Sequence, residues 1–171
     1  DRPRPAVQSD AGAFQAVLLG PEPSERLREL ARREGTTLFN VLLTAFKVML
    51  HRYTGEHDIV VGLPVGGRTR AELEPLIGFF VNTLVLRTDV SGDPTFTALV
   101  ARVRKTTTDA LAHQEVPFEQ LVAAVAPDRH LSRAPLFQVM VQLLGSDALA
   151  KDHEDGPTEP GEVEPGTSLF D

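Results

Sequence analysis

The sequence predicts an α/β fold, a two-layer sandwich in which a mixed β-sheet is covered by packed helices. Three observations carry this expectation. The run "DIVVGLPV", Asp58 to Val65, is apolar without alternation, the pattern of a strand covered on both faces. Several longer stretches repeat their apolar residues at helical spacing. The two kinds follow one another as β-α-α-β-β-α-α-β without an internal repeat, which leaves a sheet to be buried under helices.

Taken in order, Ala13 to Leu19 ("AFQAVLL") reads as a short strand closed by the turn signal "GPEP". Ser24 stands as an N-cap before Leu27, Leu30 and Ala31 at helical spacing, with Gly35 as the stop. Thr36 and Thr37 open a second helix, "LFNVLLTAFKVMLHRYT", which Gly55 ends. Its polar residues Asn40, Thr44, Lys47 and His51 form one narrow stripe, so most of its sides should be buried. The central strand Asp58–Val65 follows, then a "GGRTR" loop and a helical turn in "AELEPL". A further strand runs from about Asn82 to Val90. Asp93 and Pro94 read as cap and first turn of an amphipathic helix carrying Phe96, Leu99, Val100, Val103, Thr107, Ala110 and Leu111 on one stripe. "VPFEQLVAAVAP" is a short helix opened by Pro117 and stopped by Pro127, and "PLFQVMVQLL" a final strand. Beyond Gly145 the chain turns acidic and rich in proline and glycine, the composition of a loop or tail.

Composition narrows the function. The 171 residues suffice for one sizeable core, or one lobe of something larger. A formal net charge of −7 argues against a general nucleic-acid binder, which must neutralise phosphates. The chain has no cysteine, so disulfides and thiolate chemistry are excluded, in keeping with the cytoplasm. No apolar run is long enough for a membrane span. The histidines His51, His57, His113, His130 and His153 have no metal-ligand spacing, and acidic pairs such as Glu72 with Glu74 read as solvated surface. Asn82 stands out as a large amide in the apolar stretch "PLIGFFVNTLVLR", where burial without partners would cost free energy.

Four stretches, in this order, resemble motifs of one family. "VGLPVGGR" resembles VGxPxAGR, with Gly66 where alanine is usual. "IGFFVNTLVLR" matches IGxFVNTxxLR throughout. "HQEVPFEQL" resembles HQDxPFExL with Glu115 for aspartate, and "RHLSRAPLFQV" resembles RDxSRNPLFQV with His130 for aspartate and Ala134 for asparagine. The family is the condensation domain of nonribosomal peptide synthetases, and the resemblance covers its C-terminal half. It implies two chloramphenicol-acetyltransferase-like lobes with a tunnel between them. There the amine of one carrier-bound aminoacyl thioester attacks another, forming a peptide bond. No metal is implied, and no cofactor is bound directly: 4'-phosphopantetheine arrives on donor and acceptor carrier proteins. The N-terminal lobe of the same domain and an adjacent adenylation domain are the other implied partners. The family's catalytic motif, HHxxxDG, belongs to that N-terminal lobe, and these 171 residues contain no HH pair.

The resemblance divides the chain into an inter-lobe linker (1–12), a C-terminal lobe (13–144) and an acidic loop or tail (145–171). The tail ends in "TSLFD", similar to the start of the family's TSKFDLTL strand. The chain is thus expected to be an excised part of a larger enzyme, inactive alone. Gly78, Asn82 and Thr83 are expected along the substrate tunnel. Asn82 has two compatible readings: a turn cap bonded to nearby backbone, or an amide facing the tunnel. Gly78 reads as backbone-driven, through positive φ or a close approach. Arg68 and Arg87 are candidates for phosphopantetheine phosphate or carrier contact, with structural ion pairing as the alternative. Pro117, Phe118, Arg129, Ser132, Arg133 and Pro135 belong to the structural motifs, Arg129 and Arg133 by bonding loop carbonyls, with carrier docking as the second reading. His113 reads as a helix terminator. Two rival readings remain: an inactive module docking a carrier or synthetase subunit, and an epimerisation relative, against which "IGFFVNTLVLR" argues. An exposed partner face is expected to drive homodimerisation of the isolated chain.

Overall fold

The computed structural model describes residues 12–125 and 134–144. In chain order they form α1 (Pro21–Arg33), α2 (Leu38–Thr54), β1 (Asp58–Val65), a 3-10 turn (Ala71–Leu73), β2 (Asn82–Asp89), α3 (Phe96–Ala112) and α4 (Phe118–Val125). β1 and β2 are antiparallel, in a register running from Asp58 opposite Asp89 to Val65 opposite Asn82. On the other edge of β1 the chain returns parallel to it. Gly62 donates its N–H to the Val139 carbonyl (2.9 Å), and Val141 donates to the Gly62 carbonyl (2.9 Å). β1 is therefore central and the pairing mixed, as its unbroken apolar run implies.

Period-two alternation puts Ile59, Val61 and Leu63 on one face of β1, opposite Thr88, Leu86 and Leu84 of β2. With Leu43 of α2 and Leu99 and Val103 of α3 they make the buried core. α3 packs on α2 and β2, and α1 packs on α2 from outside. Local chemistry accounts for the helix ends. Thr37 caps α2, its Oγ1 accepting from the Asn40 N–H at 3.2 Å. Gly55 ends that helix at φ 76°. α1 closes in a Schellman arrangement: Gly35, at φ 59°, donates to the Arg32 carbonyl and Thr36 to that of Ala31.

The polar stripe of α2 turns inward. Asn40, Thr44 and Lys47 are buried, while Met49 and Tyr53 are exposed. Lys47 is wholly inaccessible and donates from Nζ to the carbonyls of Ile59 (3.1 Å) and Leu86 (2.6 Å), tying the helix to both strands. Desolvation pushes its pKa down to about 8, opposed by the charge of Asp58.

Four expectations are corrected. No strand forms over Ala13–Leu19: Phe14 and Leu18 are 75% and 95% exposed. β-propensity alone makes no strand without a neighbour to complete its ladder. Ser24 is not the N-cap of α1. Pro21 sets the first helical φ, Gly20 takes the cap position, and the Ser24 hydroxyl donates back to the Gly20 carbonyl at 2.9 Å. Thr95, not Asp93, caps α3, because Gly92 and Asp93 both take positive φ and turn the chain before the helix starts. The final strand shortens, among the described residues, to the single bridge at Met140. The readings made for residues 1–11, Pro127, Arg129, His130, Ser132, Arg133 and the tail from Ser146 lie outside the described residues, as does Gly145. Among the described residues, no helix is long and apolar enough to cross a membrane.

Candidate functional site

The connection between β1 and β2 spans residues 66–81 and folds back over the turn between α3 and α4. Its path is held from within. Arg68 donates from Nε to the Leu73 carbonyl (3.2 Å) and from Nη2 to that of Leu76 (3.0 Å), and its guanidinium lies 4.6 Å above the Phe80 ring. Gly67, at φ 64°, lets the loop close, since a Cβ there would come within 1.8 Å of the Phe80 carbonyl oxygen. Gly66 faces open space, so a methyl fits there. Gly78 does not take positive φ; a Cβ would approach the edge of the Phe80 ring at 3.0 Å, a contact the ring can relieve.

Asn82 ties this loop to the α3–α4 turn. Its Nδ2 donates to the carbonyls of Gln114 (2.9 Å) and Val116 (2.8 Å), and its Oδ1 accepts from the N–H groups of Thr83 (2.9 Å) and Phe118 (3.1 Å). Both hydrogens and both lone pairs of the amide are thereby matched. The polar residue of the apolar run is a brace, and its main partners lie 32 to 36 residues away in sequence rather than in its own turn.

The braced segments enclose an open cleft of about 620 Å³. Gly67, Thr69 and Arg70 reach it from the first loop, Phe79, Phe80, Asn82 and Thr83 from the second motif, and Gln114, Glu115, Pro117, Phe118 and Glu119 from the third. Three stretches singled out in the sequence thus converge on one surface. Its walls are aromatic, and hydroxyl, amide, carboxylate and guanidinium groups are interspersed among them. Such a surface can seat an extended chain with amide groups and one charged end.

Of the expected tunnel residues, Asn82 and Thr83 line the cleft and Gly78 does not. Pro117 opens α4, its carbonyl accepting from the Gln120 and Leu121 N–H groups. Phe118 lines the cleft and stacks on Phe137 at 5.6 Å between ring centroids. Pro135 turns the chain, its carbonyl accepting from Phe137 N–H at 2.9 Å. Arg68 and Arg87 do not line the cleft, and both guanidiniums are engaged within the chain. Arg87 grips Asp58 across the strands, Nε at 3.0 and 2.9 Å from its two oxygens and Nη2 at 2.8 Å, and the pairing raises the arginine's pKa. Its shape favours the structural reading of that residue. His113 is the C-cap of α3, with Nδ1 2.8 Å from the Asp109 carbonyl. Sequence reasoning did not single out Arg70, Gln114 and Glu119 as cleft residues, since nothing local marks which side chains of a loop face inward. For Lys47 a signal existed: it is the one charged residue between Leu38 and Leu50.

A family model described as the condensation domain matches residues 1–166. A linear gramicidin synthase of Brevibacillus parabrevis is 57% identical over 143 residues, covering 84% of this chain and 3% of that protein. The X-domain from teicoplanin biosynthesis superposes with a TM-score of 0.79 at 36% identity, over 83% of this chain and 32% of its own; the same domain is also solved in complex with OxyB. A four-domain nonribosomal peptide synthetase bound to AMP and glycine superposes with a TM-score of 0.83 at 31% identity, over 98% of this chain and 13% of its own. The chain thus spans less than a third of each of these relatives.

Proposed function

This chain belongs to the condensation-domain family, with its chloramphenicol-acetyltransferase-like α/β fold, and from that premise we propose that it is the C-terminal lobe of a peptide-bond-forming domain. It serves a nonribosomal peptide synthetase that joins carrier-bound aminoacyl or peptidyl thioesters. The observation that carries this reading is the convergence of the three motif stretches on one braced cleft. The lobe supplies a substrate-lining wall and part of the carrier-docking surface, while the catalytic histidine comes from the N-terminal lobe.

The residues present fit a phosphopantetheine arm. Thr69, Thr83 and Gln114 offer groups for its amides, the aromatic walls suit its methylenes, and Arg70 is a cation without an ion-pair partner among the described residues. When bound, the arm supplies the thioester to be attacked. This chain's own residues bind and orient it: Asn82 holds the backbone of both walls in register, and Arg70 holds the phosphate end. Arg70 therefore replaces Arg68 and Arg87 as the phosphate contact we assign.

The test is a condensation assay with two loaded carrier proteins. The intact domain forms the amide and the isolated chain does not; turnover by the chain alone would sink the reading. A second reading, a docking module without catalysis, draws on the X-domain relative solved with OxyB. An HHxxxDG motif upstream in the full gene favours the enzyme, and its absence there favours docking. An epimerisation relative stays third, because "IGFFVNTLVLR" fits the condensing domains better.

A further inference from the structure

Behind the cleft wall, two motif residues, Gly62 of "VGLPVGGR" and Phe137 of "RHLSRAPLFQV", make a contact that the proposed activity does not use. Phe137 is buried, 8% exposed, and its ring rests on the backbone of Gly62 in the middle of β1. A Cβ on Gly62 would meet ring atoms of Phe137 at 2.6 and 2.7 Å, closer than Cβ contacts in folded proteins run, so the ring would have to move. The chain reaches this seat through an unusual backbone: Leu136, between the Pro135 carbonyl and the Phe137 N–H that bonds it, has φ 67°. Positive φ in a bulky residue is strained, and such strain persists only where the surroundings enforce it. Two backbone bonds just beyond, Gly62 to Val139 and Val141 to Gly62, lock the segment alongside β1. The Phe118 ring leans on Phe137 at 5.6 Å with an interplanar angle of 48°. Phe118 is itself a cleft residue, and its N–H is held by Asn82 at 3.1 Å.

We infer that Phe137, seated on Gly62, is a positioning residue that sets where the Phe118 ring stands in the cleft wall, and through it the size of side chain the cleft admits. Asn82 holds the backbone of Phe118 and Phe137 holds its ring, so the two together leave the aromatic wall one position. The size-selection part rests on the reading of the cleft as substrate-lining; the positioning part does not.

The test uses the intact domain with its carriers, in wild type, Gly62→Ala, Phe137→Leu and the double variant. Crystal structures read the Phe118 ring. Competition between the native acceptor thioester and an analogue one methylene larger reads selectivity as a ratio of kcat/KM values. In Gly62→Ala the added methyl displaces Phe137, Phe118 follows, and the ratio changes roughly tenfold, the scale of one methylene in an apolar pocket. With Phe137→Leu in the same chain, the added methyl fills part of the space the shorter side chain leaves against β1. The two changes therefore offset each other, and ring and ratio both return toward wild type from either single variant. An unmoved Phe118 in a folded Gly62→Ala domain overturns the inference, as does failure of the second substitution to restore it. A ring that moves and returns while the ratio stays constant upholds the positioning and overturns the substrate-lining reading of the cleft. Should Gly62→Ala not fold, Phe137→Leu alone decides: Phe118 shifts and selectivity relaxes, and an unchanged ring with an unchanged ratio overturns the inference.

Discussion

At the scale of single residues, Asn82 shows how much an amide can do when both its ends are used. Truncation in Asn82→Ala leaves the carbonyls of Gln114 and Val116 and the N–H groups of Thr83 and Phe118 without this partner. Some regain water in the open cleft, so we expect a loss of about 2–4 kcal/mol by urea denaturation. Asn82→Asp should be no better than alanine, because a carboxylate oxygen then faces two carbonyl oxygens; stability near wild type would refute the bracing role. The adjacent glycines make a sharper contrast. Gly67→Ala collides with the Phe80 carbonyl and must also hold positive φ, so it should cost about 2 kcal/mol or more and open the cleft. Gly66→Ala meets nothing within 4 Å and should change stability by less than about 0.5 kcal/mol. Equal costs in paired denaturation curves would contradict the geometry of the loop.

At the scale of elements, α2 carries its chemistry on the face a helical wheel would assign to solvent. Lys47 reaches the sheet because its long stem can lie along the core while Nζ meets two carbonyls. Its folded pKa, about 8, is below the ordinary lysine value of 10.5. The native state therefore sheds this proton before the unfolded chain does, and stability contributed by the site rises with pH between those values. Below about pH 8 both states are protonated and the burial penalty stands in full. Relative to Lys47→Met, which cannot titrate, the wild type should gain up to about 3 kcal/mol between pH 8 and 10.5. Parallel urea titrations across that window check it, and a constant difference between the two proteins would show that Lys47 keeps its usual affinity for the proton. α2 and the central strand were legible from the sequence because the helix's cap, its glycine stop and the strand's apolar pattern are local, and α1 was legible from its apolar spacing although its start was misplaced at Ser24. That no strand forms over Ala13–Leu19 was not legible, because a strand needs a neighbour and no apolar pattern says whether one is present.

At the scale of the whole molecule, several large apolar side chains stay exposed among the described residues: Phe14, Leu18, Ile77 and Phe79 are 75%, 95%, 104% and 91% exposed. Exposed apolar side chains favour association. We expect the isolated chain to associate through them, so that its scattering mass rises with concentration and Leu18→Lys with Ile77→Lys suppresses the rise. A mass of one chain at every soluble concentration would count against these side chains as an interface.

The sequence by itself determined the helices, the central strand and the family motifs, since each rests on spacings of a few residues and on the chemistry of single side chains. Only the tertiary structure decided that three motifs share one cleft, that Lys47 points inward and that Asn82 bonds the α3–α4 turn. It also decided that Arg68 and Arg87 are engaged within the chain and that Phe137 sits on Gly62. These are contacts between segments tens of residues apart. Their partners become neighbours only once the sheet has formed and the helices have packed on it, so no local pattern in the chain encodes which group meets which.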